Sequence, residues 1–266
     1  MSLELIDIGV NLCHSSFRFD RKEVIDRSIA AGVSKLIITG SDLKSCQDAQ
    51  EFVNHYPDTL YFTAGVHPHY TRECNSDTIQ ILRQFAKKAV AIGECGLDYF
   101  RDLSPRSVQD QWFEEQIKLA CELKRPLFLH ERKAFSRFIE ILKTYRDHFD
   151  LGVVHCFTGN AKELKAYLDL DLYIGITGWI CDERRGVHLR DLVKNIPVDK
   201  LMLETDAPFL TPRDLIQKPK DNRNEPALLP HILKVVADYL GKSAQEVAVA
   251  TTDNAHRFFG IYPKIN

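Results

Sequence analysis

Leu172-Tyr173-Ile174-Gly175-Ile176 is an unbroken apolar run, entered from Asp171 and left through Thr177. Lys35-Leu36-Ile37-Ile38 reads the same way. A strand with one wet face alternates polar and apolar residues. A strand covered on both faces does not, as in parallel sheets wrapped in helices. Working outward, comparable runs span Leu3 to Val10, Lys35 to Thr39, Leu60 to Val66 and Ala89 to Gly93. Others span Pro126 to His130, Gly152 to His155, Leu172 to Ile176 and Lys200 to Glu204. Longer stretches of helical character separate them: Arg21 to Ala31, Ser45 to His55, Asp77 to Lys88, Arg106 to Lys124, Lys133 to His148, Ala161 to Leu170 and Glu183 to Lys194. In the fourth, Phe113, Ile117, Ala120 and Leu123 recur at helical spacing and read as core. Two further helices, Pro226 to Leu240 and Ser243 to Phe259, each stop at a glycine, and Ser243-Ala244-Gln245-Glu246 has the form of a capping box.

Eight strands alternating with helices, without linker, repeat or low-complexity tract, predict a single (β/α)8 TIM barrel over residues 1–266. A doubly wound open sheet is the alternative, and no glycine-rich phosphate loop supports it. The chain has 266 residues, a 44% apolar fraction and a net charge of −2, so it has core enough for a barrel and no global basic signature. A local patch can still hold a polyanion. No apolar run approaches the roughly 20 residues that span a bilayer. Met1-Ser2-Leu3-Glu4-Leu5-Ile6-Asp7 lacks the basic and apolar regions of a signal peptide, so a cytoplasmic protein without membrane contact is expected. The 7 cysteines are scattered and lack paired spacing, which argues against a disulfide framework. Cys95 and Cys156 read as small packing residues beside the polar positions, not as ligands.

Those polar positions fall at predicted strand ends. The first strand brings Asp7 and the third ends in Gly65-Val66-His67-Pro68-His69. The fourth leads into Glu94-Cys95-Gly96-Leu97-Asp98, the fifth into His130-Glu131-Arg132, the sixth into His155 and the eighth into Glu204-Thr205-Asp206. In a barrel these ends converge on one mouth, where active sites sit. Imidazoles and carboxylates meeting there suit Zn, Mn or Fe, and Mg where waters complete the shell. Such an ion would polarise a phosphoryl oxygen and activate water near neutral pH.

Several segments now carry a resemblance: Asp7-Ile8-Gly9-Val10-Asn11-Leu12, Thr63-Ala64-Gly65-Val66-His67-Pro68-His69, Ala91-Ile92-Gly93-Glu94-Cys95-Gly96-Leu97-Asp98, His155-Cys156-Phe157-Thr158-Gly159 and Glu204-Thr205-Asp206-Ala207-Pro208. To these add Ile174-Gly175-Ile176-Thr177-Gly178-Trp179, Cys181-Asp182-Glu183-Arg184-Arg185 and Arg223-Asn224-Glu225-Pro226. With them the chain resembles the TatD family of metal-dependent deoxyribonucleases, within the amidohydrolase-like TIM barrels. The motifs run from the first strand to the last loop. The resemblance implies a Mg-dependent 3′→5′ exonuclease on single-stranded DNA and RNA, with a role in DNA repair or turnover. It implies one or two divalent ions; no heptad or long exposed apolar stripe in the sequence points to an obligate protein partner. By motif position, Glu94 looks like the central metal ligand, with His130, His155 and Asp206 as the others. Asp206 also matches the residue that orients or deprotonates the attacking water. His67 matches a residue facing metal and scissile phosphate, and Glu204 a neighbouring acid.

The chain departs from the family on strand one, where many members carry a His-x-His pair and Gly9 and Asn11 stand here. One well-held ion is therefore expected, with a second bound weakly or with substrate. For substrate grip, Arg132 follows His130 closely, while Arg184, Arg185, Arg213, Lys218, Lys220, Arg223 and Lys234 gather in the later loops and the first of the last two helices. Guanidinium suits bidentate phosphate contact. Trp179 either stacks on a base or plugs the barrel rim, and Phe100 and Phe157 are weaker candidates of the same kind. The amides around Asn224-Glu225-Pro226 either meet phosphate or only pack the last helices over the mouth. Two rivals stand: a hydrolase of amides, lactones or small phosphoesters on the same barrel, and a non-catalytic nucleic-acid-binding barrel.

Overall fold

The computed structural model describes residues 4–219 and 221–262. Lys220, and Leu3 as the expected start of the first strand, lie outside them. Eight strands form one sheet in chain order: β1 (Leu5–Val10), β2 (Val33–Ile38), β3 (Leu60–Ala64), β4 (Ala91–Asp98), β5 (Leu127–Arg132), β6 (Gly152–Val154), β7 (Tyr173–Ile176) and β8 (Leu201–Leu203). Each pairs with the next in parallel. The ring closes where Val10 bridges Ala207, with Asn11 N donating to Ala207 O (2.7 Å) and Asp206 N to Gly9 O (2.8 Å). The open-sheet alternative is thereby set aside.

The helices are α1 (Arg21–Ala30), α2 (Leu43–Val53), α3 (Thr78–Phe85), α4 (Arg106–Leu123), α5 (Phe135–Tyr145), α6 (Ala161–Asp169), α7 (Val187–Leu192), α8 (Leu229–Leu240) and α9 (Ala244–Phe259). Local chemistry sets their ends. Asp42, Asn160 and Ser243 each cap a helix in a reciprocal box with Ser45, Glu163 and Glu246. Gly241 and Gly260 take the left-handed conformation that terminates α8 and α9.

Two expectations shift. The helix expected over 183–194 shrinks to α7, because the Asp182 carboxylate accepts the backbone N–H groups of Arg184 (2.9 Å) and Arg185 (3.3 Å) and holds that stretch in a turn. The fourth strand does not stop at Gly93 but continues to Asp98. It does so through Gly93 (φ +140°) and Gly96 (φ +148°), conformations that side chains resist, and a Cβ on Gly96 would lie 1.9 Å from His130 O. The register against β5 slips between Ile92 and Cys95. Glu94 therefore sits inside a bent strand, not beyond its end.

The strands are buried on both faces, as their continuous apolar pattern requires. One apolar layer lies between strands and helices. A second fills the lower barrel, where Ile6, Ile8, Phe128, Val153, Tyr173 and Met202 join Phe258, Phe259 and Ile261. The end of α9 thus plugs the barrel floor, with Tyr173 and Phe258 rings 5.3 Å apart edge to face. Polar side chains are left to the opposite mouth.

Candidate metal centre

The Glu94 carboxylate is the hub of that mouth. Its Oε1 lies 2.8 Å from His130 Nδ1, 2.8 Å from His155 Nε2 and 3.5 Å from His67 Nε2. His130 reaches in from β5, His155 from just beyond β6, and His67 from the turn after β3. The His67 and His130 rings meet edge to face, with Nε2 and Nδ1 3.3 Å apart. Phe128, pointing into the barrel from β5, stacks beneath His155 at 4.9 Å between centroids. Glu94, His67 and His155 are all under 8% exposed.

The far sides of the imidazoles are held too. His155 Nδ1 lies 3.1 Å from Glu204 Oε2, while Glu204 Oε1 accepts the backbone N–H of Cys156. Asp98 Oδ2 lies 2.7 Å from His69 Nε2 and 3.5 Å from His130 Nε2. Asp206, just past β8 and half-buried, accepts from the Asn11 amide at 3.0 Å. Asp7 is fully buried under this layer and accepts from the backbone N–H of Thr205 (2.9 Å) and from its hydroxyl. It ties β1 to the segment that carries Asp206.

Charge follows this geometry. Burial would raise the Glu94 carboxyl, but His67 and His155, with hydrogen bonds from His130 and His155, hold it well below its usual range. Burial disfavours the charged form of His155, yet the Glu204 and Glu94 carboxylates overcome it and push that imidazole well up. His130 is raised against burial by Asp98 and Glu94. Burial keeps His67 well below its ordinary value. Burial, reinforced by Glu94 and Glu204 and partly offset by His155, pushes Asp206 up to about 7; Asp7 rises to about 7 chiefly by burial.

These donors fit a divalent cation. One ligand atom each of His67, Glu94 and His130 lies within 4.8 Å of the other two. One carboxylate oxygen faces three ring nitrogens, and the buried His130 Nε2 has no hydrogen-bond partner. A single acceptor cannot satisfy that many donors, whereas a cation binds lone pairs from all of them.

The strand-one departure also has a physical account. A Cβ on Gly9 would lie 2.4 Å from Glu204 Oε2, and one on Gly175 would lie 2.5 Å from Glu204 Oε1. The Glu204 carboxylate occupies the room that those two glycines leave. The Asn11 amide is engaged by Asp206.

Glu94, His130, His155, Asp206, Glu204 and His67 thus meet in one mouth. Arg132 sits at the end of β5 with its guanidinium 4.1 Å over the Phe100 ring. Trp179 borders a cleft of about 280 Å³ with Arg184, Arg185, Phe209, Arg213 and Lys218. The Arg185 guanidinium covers one face of the Trp179 ring at 4.2 Å. Arg184 and Arg185 are paired with Asp182, and Arg213 with Glu183. Arg223 donates to Asp20 and to Ser16 O, in the loop after β1, and lies over Phe17. Lys234 is exposed on α8, and Phe157 is buried against Tyr167. Asn224 is spent on the carbonyls of Thr205 and Phe209. Among the unassigned polar residues at the strand ends, Asp98 pairs with His69 and stands 3.5 Å from His130 Nε2. Their place in the Gly93-to-Asp98 and His67-to-His69 segments was the available signal.

The family described as TatD related DNase matches residues 6–260. The chain is 49% identical over 259 residues to the 3′-5′ ssDNA/RNA exonuclease TatD of Citrobacter rodentium, covering 97% of this chain and 98% of that one. The protein of the same description from Rahnella sp. is likewise 49% identical over 259 residues, with 97% and 98% covered. Among solved structures, a TatD family hydrolase from Entamoeba histolytica superposes with a TM-score of 0.89 at 28% identity, covering 98% of this chain and 100% of that one. An L-hydantoinase from Arthrobacter aurescens shares the barrel at a TM-score of 0.66 and 12% identity, with 97% and 71% covered, a likeness of fold alone.

Proposed function

Because this chain belongs to the family of TatD-related DNases, we propose that it is a metal-dependent phosphodiesterase. It removes nucleotides from the 3′ end of single-stranded DNA and RNA. The observation that carries the reading is the Glu94 carboxylate with three imidazoles converging on one oxygen. The full-length relatives described as single-strand exonucleases supply the substrate class. His130, His155, Glu94 and Asp206 would hold the ion, Mg in the cell, with Mn or Zn able to substitute. An ion held there would supply Lewis acidity toward a phosphoryl oxygen and make water more acidic.

This chain's own residues do the rest. Asp206, oriented by the Asn11 amide, takes the proton of the attacking water. Glu204 fixes the ring of His155 through Nδ1, as partners of metal-bound histidines do. His67, kept neutral by burial, faces the scissile phosphate. Arg132 contacts the phosphate, and Trp179 offers its uncovered face to an unpaired base. The room filled by Glu204 beside Gly9 supports one tightly held ion, with any second recruited alongside substrate. Seven cysteines recorded as free thiols are compatible with a reducing, cytoplasmic setting.

The test is an oligonucleotide labelled at either end, titrated with Mg beside Glu94→Gln. A 3′ label should appear as mononucleotide first, only with metal, and only with the wild-type chain. Turnover of amides or lactones with no nucleotide release would overturn the reading.

A further inference from the structure

On the rim, away from the Glu94 hub, a second set of ligand side chains comes together. Cys181 ends the three-ten turn Gly178–Cys181 that follows β7. Asp214 lies in the loop after β8, and His231 in the first turn of α8. One ligand atom of each lies within 4.8 Å of the other two. His231 Nε2 is 2.6 Å from Asp214 Oδ1, and the Cys181 thiol is hydrogen-bonded to Asp214. Cys181 is buried, His231 half-buried and Asp214 exposed, so the group opens to solvent along its carboxylate. None of the three has a part in the phosphodiester chemistry above.

The surroundings single this group out. Neighbouring Asp182 and Glu183 are neutralised by Arg184, Arg185 and Arg213. Among the described residues, Asp214 has His231 as its one ion-pair partner. Three segments far apart in sequence therefore bring sulfur, nitrogen and oxygen to one point. A hard ion such as Mg avoids thiolate, whereas zinc accepts this mixed set, with water as the fourth ligand.

We propose that Cys181, Asp214 and His231 form a second divalent-metal site, of the zinc class, that fastens the loop after β8 to the barrel rim. On binding, the Sγ–H bond of Cys181 breaks and its proton leaves to solvent. The sulfur lone pair then goes to the metal, and no electron changes owner. The Nε2 proton that His231 gives to its hydrogen bond with Asp214 moves to Nδ1 by way of solvent, and the freed Nε2 lone pair and a carboxylate lone pair of Asp214 then go to the metal. The loop so fastened carries Phe209, Arg213 and Lys218, which line the cleft beside Trp179.

The test is cobalt loading of the full chain after chelator treatment. Wild type should show a thiolate-to-cobalt charge-transfer band and, loaded with zinc instead, retain one more zinc per chain than Cys181→Ser. The band should be lost in Cys181→Ser and in His231→Gln, while the cobalt ligand-field bands of the Glu94 centre persist. His231 is partly exposed, so its variant keeps the test open if Cys181→Ser fails to fold. Absence of the band in wild type overturns the proposal. So does a band surviving in Cys181→Ser, which would place the thiolate at another cysteine, or a band and zinc count unchanged in His231→Gln. None of these readouts depends on nuclease activity.

Discussion

At the scale of single residues, the mouth works through side chains that never need to touch substrate. Asp98 faces both His69 and His130 from a fully buried position and accepts the N–H groups of Phe100 (3.0 Å) and Arg101 (2.8 Å). Its Oδ2 stands 3.5 Å from Nε2 of His130, whose Nδ1 meets Glu94. Partners of metal-bound histidines are commonly worth about 10–100-fold in affinity or activity. Asp98→Asn should raise the metal concentration for half-maximal rate by about that factor, with the fold kept, in a titration followed by nucleotide release. An unchanged titration would leave Asp98 a structural cap of the 98–101 turn. Gly9 makes the complementary case. Gly9→Ala forces a methyl onto Glu204 Oε2, which Cys156 and His155 hold in place. Overpacking of this kind costs about 1–3 kcal/mol. Urea unfolding should show a lowered midpoint, and the rate should fall because His155 loses its brace. An unmoved midpoint would mean that Glu204 can step aside. Glycine at this position is legible in sequence only as a missing imidazole. What fills the space comes from β8, nearly the whole chain away.

At the scale of elements, loops join the barrel by side-chain latches. Arg223, 17% exposed at its side chain, donates to Asp20 Oδ1 (2.8 Å), Asp20 Oδ2 (2.6 Å) and Ser16 O (2.6 Å). Arg27 of α1 meets Glu225 at 2.7 Å. Together they seat the approach to α8 on the start of α1. Hydrogen bonds involving a charged group are worth about 1.5–3 kcal/mol when partly buried. Arg223→Ala should therefore lower the unfolding free energy by about that much while leaving KM for an oligonucleotide unchanged. Unchanged stability with a raised KM would return Arg223 to a strand-gripping role. The sequence offers it as one of several basic residues in a late loop. Only the fold reveals Asp20 as its neighbour, since 203 positions separate them. The shortened α7 has a similar origin. Glu183, Arg184 and Arg185 are helix formers, but the Asp182 carboxylate claims the amides of Arg184 and Arg185 locally.

At the scale of the molecule, parallel order, strand count and the convergence of polar side chains were all readable. Each follows from a pattern local to a strand: apolar throughout its length, polar at its exit. His155 and Asp206 follow that pattern just past β6 and β8, whereas Glu94 and His130 lie within β4 and β5 and are legible as polar interruptions of apolar runs. What lay beyond reach depends on distant partners, such as Asp7 beneath Thr205 or His231 beside Cys181 and Asp214. The continuation of β4 past Gly93 was hidden by its own glycines, which interrupt the apolar run yet permit the close approach to β5.

The floor of the barrel carries a consequence for how the protein comes into being. Phe258, Phe259 and Ile261 fill the lower cavity against residues from strands as early as Ile6 and Ile8. During synthesis, every strand emerges from the ribosome before the plug that completes their shared interior. Until α9 is out of the exit tunnel, that apolar cavity is open to water, and the ring lacks the contacts that α9 makes through Thr252 with Glu4, just before β1, and through Asn254 with β8. Release of the last helix is then the event that turns a collapsed nascent chain into a sealed barrel, so ribosome stalling within α9 should leave a chain that chaperones still recognise.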